Sequence, residues 1–105
     1  MISHLASDPQ ATRRYFESGR TLVEFYAKWC GTCRALTRTL QSVEAVVGIP
    51  VVKVDIEDDP TLAARFAILG VPQLLLLHDG VETSRVSGSL DESEFAAWFA
   101  AANRR

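Results

Sequence analysis

Cysteine and histidine are scarce in this chain of 105 residues, which has two of each. Two cysteines are too few for the disulfide framework that holds small secreted domains together. A structural zinc site needs four ligands, and His4 and His78 do not stand at a finger-like spacing from the cysteines. Each histidine is more simply a polar residue at a strand end. We therefore expect no bound metal and keep a zinc site as a lesser alternative.

The chain also lacks a long aliphatic run and an excess of positive charge. The run from Leu74 to Leu77 is far too short to span a bilayer. The net charge is -2, with both signs spread along the sequence, so no basic surface is available for phosphates or anionic lipids. Residues 1–8 carry neither the basic patch nor the apolar core of a secretion signal. We expect a cytoplasmic protein that binds neither nucleic acid nor membranes.

The remaining composition is that of one ordinary globular domain. Hydrophobic residues make up 48% of the chain and charged residues 23%, with no repeat or low-complexity tract. A chain of this length buries about two thirds of its unfolded surface around a single core. We expect one domain over residues 1–105, acting as a monomer.

Both cysteines lie in one short motif, Trp29-Cys30-Gly31-Thr32-Cys33. Two thiols separated by two residues can close a small disulfide ring in the first turn of a helix. In a reducing compartment such a pair is more often catalytic or metal-binding than structural. Residues 21–27 form an apolar run typical of a strand that is covered on both faces, and residues 34–47 have helical periodicity. The thiols are therefore predicted at a strand-to-helix junction.

Periodicity, capping residues and turn residues predict alternating strands and helices. Strands are expected over residues 2–5, 21–27, 49–55, 74–77 and 81–86. Helices are expected from Pro9 to Gly19, over residues 34–47 and 60–66, and after Asp91, which forms a capping box with Glu94. The helical crossover between the second and third strands implies parallel pairing, and His78-Asp79-Gly80 implies a hairpin. The fold class is α/β.

Two segments together resemble the thioredoxin family: residues 25–33, which end in the cysteine motif, and Gly70-Val71-Pro72-Gln73-Leu74. Residues 55–66 and Gly88 extend the likeness nearly end to end. A CxxC pair says little by itself, but a preceding tryptophan and a later Val-Pro at a strand start make the pattern specific. The resemblance implies a thioredoxin fold, in which helices flank a central mixed β-sheet and a C-terminal hairpin precedes the last helix.

The resemblance also implies a dithiol-disulfide oxidoreductase that reduces protein disulfides and needs no cofactor. Cys30 is expected to attack, because a helix N-terminus favours a thiolate, and Cys33 is expected to resolve the mixed disulfide. Glu24 is the candidate proton acceptor for Cys33, since burial raises the pKa of a carboxyl group. A glutamate exposed at a sheet edge is the alternative. Lys53, on the neighbouring strand, is expected to offset the buried charge.

Trp29 and Val71 are expected to form an apolar surround for an extended substrate peptide, whose backbone pairs with Val71. Ordinary packing is the alternative for Trp29. The resemblance implies a cis peptide bond before Pro72, which places this proline against the sulfurs. Three glycines are expected to leave room for the peptide: Gly31, Gly70 and Gly88. For the last two, turn chemistry alone is an equally good explanation.

Thr32 stands where most thioredoxins have proline, and we expect a less constrained loop and a somewhat less reducing potential. Arg38 stands where many members have a helix-kinking proline, which predicts a straighter helix. The expected partners are disulfide-containing proteins and an NADPH-dependent thioredoxin reductase. Two alternatives remain open: a disulfide oxidase or isomerase on the same fold, and a protein-binding adaptor with incidental redox activity.

Overall fold

The computed structural model describes residues 2–5 and 14–104 of the chain. The strands in these parts are β1 (Ile2–Leu5), β2 (Arg20–Tyr26), β3 (Val51–Asp55), β4 (Gln73–His78) and β5 (Val81–Ser87). The helices are α1 (Gly31–Val47), α2 (Pro60–Arg65) and α3 (Glu92–Ala102). Residues 14–16 are also helical, and the start of the helix predicted from Pro9 lies outside the described residues. Within those ranges, no helix is long and apolar enough to cross a membrane.

The strands form one mixed sheet in the order β1-β3-β2-β4-β5. β3 pairs in parallel with β1 and β2, whereas β4 pairs antiparallel with β2 and β5. The long helix α1 carries the chain from the end of β2 back to the start of β3, which makes their pairing parallel. The predicted architecture is thus confirmed, including the C-terminal hairpin followed by a helix, and β1 lies at one edge of the sheet.

Helices cover both faces of the sheet and form two apolar cores. The core beside α1 and α3 includes Leu22, Leu36, Leu40, Leu74 and Phe95. The core on the opposite face includes Phe16, Val23, Phe25, Val54, Leu62 and Phe66. Successive side chains of a strand point to opposite faces, so Leu22 and Val23 enter different cores. The central strand β2 is therefore buried on both faces, as its continuous apolar run predicts.

Both long helices have clear end signals. α1 begins at Gly31, earlier than its hydrophobic periodicity indicates, because the Cys30 side chain acts as the N-cap. It ends at Val47, and the C-cap Gly48 has a φ of 77°, the left-handed conformation that glycine adopts easily. α3 begins with the predicted capping box, in which the Asp91 and Glu94 side chains each accept the other's backbone N–H. The start of α1 places the cysteine motif at the carboxyl end of the sheet's central strand.

Candidate active site

The two cysteines lie where β2 passes into α1. They form a disulfide with a Cα–Cα distance of 5.2 Å. Cys30 is the N-cap of α1, and Cys33 lies in its first turn. The Cys33 backbone N–H donates to Cys30 Sγ at 3.0 Å. The Cys30 sulfur is therefore at the positive end of the helix dipole and within reach of an N–H group that has no partner inside the helix.

The surroundings of the two cysteines differ. Cys30 is 6% exposed and Cys33 only 1%, so Cys30 is the more exposed of the two residues. Val71 packs against the small apolar cluster that contains both cysteines, and its peptide bond to Pro72 is cis, as the resemblance implies. Trp29 is 68% exposed, which argues against ordinary packing as its role. The site thus combines two buried cysteines, of which Cys30 is slightly the more exposed, with an exposed tryptophan that precedes them in the chain and with Val71 packed against them.

Glu24 lies in the middle of β2 and is completely buried, so the alternative of an exposed edge glutamate is wrong. Its register partners are Lys53 in β3 and Leu74 in β4. Removal from water raises the pKa of Glu24 to about 7, although a hydrogen bond from Thr37 and the positive charge of Lys53 act in the opposite direction. A carboxyl group with this pKa exchanges protons readily near neutral pH.

Thr37 belongs to this site but does not appear among the residues that the sequence singled out. Its Oγ1 lies 2.8 Å from Glu24 Oε1, 3.1 Å from Oε2 and 3.1 Å from the Cys33 carbonyl oxygen. Thr37 is one helical turn after Cys33, and residues at this spacing share a helix face. That spacing is the sequence signal that could have found it, once α1 was known to lie across Glu24.

The thioredoxin family model matches residues 10–101 of the chain. The chain belongs to the thioredoxin family. The thioredoxin of Chlamydia caviae is 39% identical over 79 residues, which cover 74% of this chain and 78% of that protein. The structure of a mutant thioredoxin from Halobacterium salinarum NRC-1 superposes with a TM-score of 0.83 at 25% identity, covering 96% of this chain and 89% of that one.

A probable protein disulfide-isomerase A4 from Caenorhabditis elegans is also similar, with 38% identity over 77 residues. The match covers 73% of this chain but only 12% of that longer protein. The thioredoxin relatives match over most of their own length, which favours the reductase over the isomerase. This thioredoxin-family chain is therefore a thiol-disulfide oxidoreductase with a redox-active CxxC pair, and it reduces protein disulfides.

In this member of the thioredoxin family, Lys53 contacts an aromatic ring as well as balancing Glu24. Its Nζ lies 4.2 Å from the centroid of the Tyr26 ring. Tyr26 is two residues beyond Glu24 on the same face of β2. Both side chains can therefore reach Lys53, which lies on the neighbouring strand β3. A cation over an aromatic face is held by the negative charge density of the ring. Tyr26 thus helps to place the predicted supporting charge.

A group of charges beside the motif was also missed by the sequence analysis. Lys28 Nζ lies 3.6 Å from Asp55 Oδ2 and 3.7 Å from Asp58 Oδ1. Asp55 is fully buried, and its Oδ1 accepts the Glu57 backbone N–H at 2.8 Å. The Arg34 Nη1 donates to the Lys28 carbonyl oxygen at 3.2 Å, so a second cation lies across the loop that leads to the cysteines. These contacts join the carboxyl ends of β2 and β3, where parallel strands bring their last residues together.

The three glycines predicted to make room for substrate are not alike. Gly88 has a φ of 84° and donates its N–H to the Pro72 carbonyl oxygen at 3.1 Å, so turn geometry explains it. A Cβ atom added at Gly31 would meet the end of the Arg34 side chain at 3.5 Å, an ordinary contact. One added at Gly70 would meet no atom of the described residues within 4 Å. The space beside Gly70 is open.

The described residues contain no group of three or more His, Cys, Asp or Glu side chains placed to hold a metal ion. His78 lies exposed at the end of β4, with its Nε2 3.7 Å from Asp79 Oδ2. His4 is in β1, whose side chains lie outside what the structure describes. His78 pairs with Arg20 at the start of β2, whereas the cysteines follow the end of this strand.

Proposed function

We propose that Cys30 is the attacking thiol, Cys33 the resolving thiol and Glu24 the proton acceptor for Cys33 in the reduction of protein disulfides. The observation that carries the assignment is the position of Cys30 as the N-cap of α1, with the Cys33 N–H donating to its sulfur. A reduced Cys30 at this position is stabilised as a thiolate by that donor and by the helix dipole. The charged residue of the first helical turn is Arg34, whose sign also favours a thiolate.

The chemistry balances as two exchanges. The Cys30 thiolate attacks one sulfur of the substrate disulfide, so that a bond forms between Cys30 and the substrate while the substrate S–S bond breaks. The released substrate thiolate takes up a proton from solvent. Cys33 then gives its proton to Glu24 and attacks Cys30 Sγ, which closes the Cys30–Cys33 disulfide and releases the second substrate sulfur. Two electrons pass from the dithiol to the substrate.

Glu24 suits the second exchange because of its burial. With a pKa of about 7, it is about half ionised at neutral pH, so it accepts a proton and returns it to solvent at little cost. Lys53, its register partner in β3, offsets the negative charge of the ionised form. Perturbed carboxyl groups of this kind are frequent at functional sites.

The substrate is an extended peptide that docks beside Cys30. The exposed Trp29 ring supplies apolar contact area, and Val71 offers backbone groups with which a peptide pairs as an added strand. Pro72 is buried, and the preceding Val71 packs against the cysteine cluster. Thr32 is exposed at the start of α1, and the open space at Gly70 lets the peptide backbone come close. Gly31 has no side chain to separate the peptide from the loop. Gly88 supports the same loop through its bond to Pro72.

We further infer a cytoplasmic monomer, with one domain over residues 1–105, that is recharged by an NADPH-dependent thioredoxin reductase. Membership of the thioredoxin family supports such a reductase as partner. The net charge of -2 supports protein partners over nucleic acid or anionic membranes.

Insulin reduction with NADPH and a thioredoxin reductase tests the proposal. Cys30→Ser and Cys33→Ser are each expected to abolish turnover, because each removes one half of the dithiol. Only Cys33→Ser is expected to accumulate a covalent adduct with insulin, visible on a non-reducing gel, because it attacks but does not resolve. An adduct formed by Cys30→Ser instead would reverse the two roles. Turnover retained in both variants would contradict the mechanism. A protein-binding adaptor would instead keep its partner binding, without insulin reduction, when both cysteines are replaced by serine.

A further inference from the structure

The Thr37 hydroxyl lies between two hydrogen-bond acceptors, the Glu24 carboxylate at 2.8 Å and the Cys33 carbonyl oxygen at 3.1 Å. A hydroxyl group has one hydrogen to donate, so it serves only one of them at a time. We propose that Thr37 is a positioning residue that changes partner with the protonation of Glu24. It donates to the ionised carboxylate, and it turns to the Cys33 carbonyl when Glu24 is protonated and itself donates to Thr37 Oγ1. This inference rests on the proposed role of Glu24.

A threonine inside a helix often donates to the carbonyl oxygen one turn back, and this common hydrogen bond is sufficient to explain the contact with Cys33. Ser42 makes such a bond, to the Arg38 carbonyl at 3.2 Å. Thr37 differs because its nearest acceptor is not in the helix, and Glu24 Oε1 is closer than the Cys33 carbonyl. A hydrogen bond to a charged acceptor is roughly twice as strong as one between neutral groups. The Thr37 hydroxyl therefore donates to the ionised Glu24 carboxylate and not to the Cys33 carbonyl oxygen.

Protonation of Glu24 reverses this balance. A neutral carboxyl group has an O–H of its own, and Thr37 Oγ1 has free lone pairs to accept it. The threonine hydrogen is then released to the Cys33 carbonyl oxygen. Only a hydroxyl hydrogen rotates, so the exchange needs no movement of heavy atoms. In the reaction proposed above, arrival of the Cys33 proton at Glu24 moves the Thr37 hydrogen bond onto the helical turn that contains Cys33.

The elements packed around Glu24 leave few other groups to stabilise its charge. β3 contributes Lys53, β4 contributes the apolar Leu74, and Tyr26 follows on the same face of β2. From α1 come Thr37 and, in the reduced protein, the Cys33 thiol. Thr37 is the described hydrogen-bond donor to the carboxylate, and its bond lowers the Glu24 pKa against the larger effect of burial. Removing the hydroxyl therefore leaves a buried charge with one donor fewer.

Two substitutions at position 37 separate the hydroxyl from the shape of the side chain. Thr37→Val is nearly isosteric and has no hydroxyl, whereas Thr37→Ser keeps it. The titration midpoint of the Glu24 side-chain carboxyl is followed by carbon-13 NMR in the oxidised protein, where the cysteines do not titrate. We expect Thr37→Val to raise the midpoint by about one to two pH units, and Thr37→Ser to keep the wild-type midpoint. The proposal is overturned if Thr37→Val leaves the midpoint unchanged, or if Thr37→Ser moves it equally far.

Thr39→Val is the matched control. Thr39 is on the same helix, and its hydroxyl donates to the Leu90 carbonyl oxygen at 2.7 Å, away from Glu24. This variant loses one hydroxyl from α1 and is expected to keep the Glu24 midpoint. A shift as large as that of Thr37→Val would show that loosening α1, and not the Thr37 hydrogen bond, moves the titration, and this would overturn the proposal.

The pH profile of insulin reduction separates this inference from the proposed function. If Glu24 is the proton acceptor, the profile of Thr37→Val moves upward with the NMR midpoint, and Thr37→Val has no further effect on the profile in a Glu24→Gln background. If Glu24→Gln leaves the wild-type profile unchanged, the proton-acceptor role fails. The NMR midpoints alone then decide whether the Thr37 hydroxyl follows the charge of Glu24.

Discussion

Thr32 is the second residue of α1, where a backbone N–H has no partner inside the helix. A proline is tolerated at such a position, and it restricts the open, reduced loop more than the closed disulfide ring. We therefore expect Thr32→Pro to favour the disulfide and to make the redox potential more negative by about 10 to 20 mV, the equivalent of the usual gain from proline substitution. Equilibration with glutathione buffers measures the potential.

Thr32→Ala is the control for this prediction, because it removes the hydroxyl without restricting the backbone. The wild-type protein is expected to be somewhat less reducing than a thioredoxin at about -270 mV. A wild-type potential at or below that value, or no difference between Thr32→Pro and Thr32→Ala, would contradict the role assigned to the loop.

How far single residues can be predicted depends on where their partners come from. Glu24 and Lys53 could be predicted because strand parity fixes their faces, and two parallel strands joined by a helix are neighbours. Thr37 could not be predicted, because its contact with Glu24 depends on how α1 lies across the sheet, and hydrophobic periodicity gives only the direction of its apolar stripe. The contact of Lys28 with Asp55 could not be predicted for another reason: Lys28 lies in the loop after β2, and strand parity does not give the course of a loop.

At the scale of elements, the parallel β2–β3 pair and the β4–β5 hairpin could be predicted from the sequence, but the antiparallel pairing of β4 with β2 and the detailed register could not. The pairing register of the β4–β5 hairpin shifts between Leu76 and Leu77. This shift depends on the backbone of both strands together, and no residue type predicts it. The hydrophobic periodicity predicts a start of α1 that is three residues too late, because the first turn consists of active-site residues and has no apolar stripe. The elements that position the active site were thus the ones whose ends were hardest to predict.

Arg85 joins the hairpin to the loop that precedes Val71. Its guanidinium donates to both carboxylate oxygens of Glu82, to the Phe66 carbonyl oxygen and, at 3.5 Å, to the Ala67 carbonyl oxygen. Phe66 is the C-cap of α2, and Ala67 has a φ of 52°, an unusual conformation for a residue other than glycine. A strand side chain therefore fixes the backbone from which the substrate-binding loop starts.

We expect Arg85→Gln to lower the free energy of unfolding by about 1.5 to 3 kcal/mol, the usual contribution of hydrogen bonds made by a charged group. It is also expected to raise the KM for insulin with kcat nearly unchanged, because the loop is displaced but the thiols are not. Urea denaturation and steady-state kinetics measure the two effects. Arg38→Gln, which changes an exposed arginine on α1, is the control. A loss of stability with no change in KM would limit Arg85 to a role in the fold.

At the scale of the whole molecule, Glu24 opposes the stability that the two cores provide. An ionised carboxyl group in the centre of a sheet loses its hydration, and one hydroxyl donor and a neighbouring lysine compensate only in part. A buried charge that is only partly compensated breaks the usual rule for a folded core, and such exceptions are expected at functional sites. The group proposed as the proton acceptor therefore also lowers the free energy of unfolding when it is ionised.

The pH dependence of stability measures that weakness. Folding raises the Glu24 pKa from 4.5 to about 7, so between these pH values the folded state binds more protons than the unfolded state. Stability therefore falls as pH rises through this window, and the loss is complete above pH 7. A shift of this size corresponds to about 3 kcal/mol. The glutamine of Glu24→Gln does not ionise. The unfolding free energy of this variant is therefore not expected to fall between pH 4.5 and 7 as that of the wild type does.

Urea denaturation of the oxidised protein at a series of pH values tests this, because the disulfide cysteines do not titrate. The difference in unfolding free energy between Glu24→Gln and the wild type is expected to grow by about 3 kcal/mol from acid to pH 8, in favour of the variant. Glu57→Gln, which changes an exposed carboxyl group, is expected to keep the wild-type slope. A difference that stays constant across the window would mean that Glu24 has the same pKa in the folded and the unfolded protein, and that it is fully ionised at neutral pH. A carboxylate with the ordinary pKa of 4.5 would be a poor acceptor for the proton of Cys33.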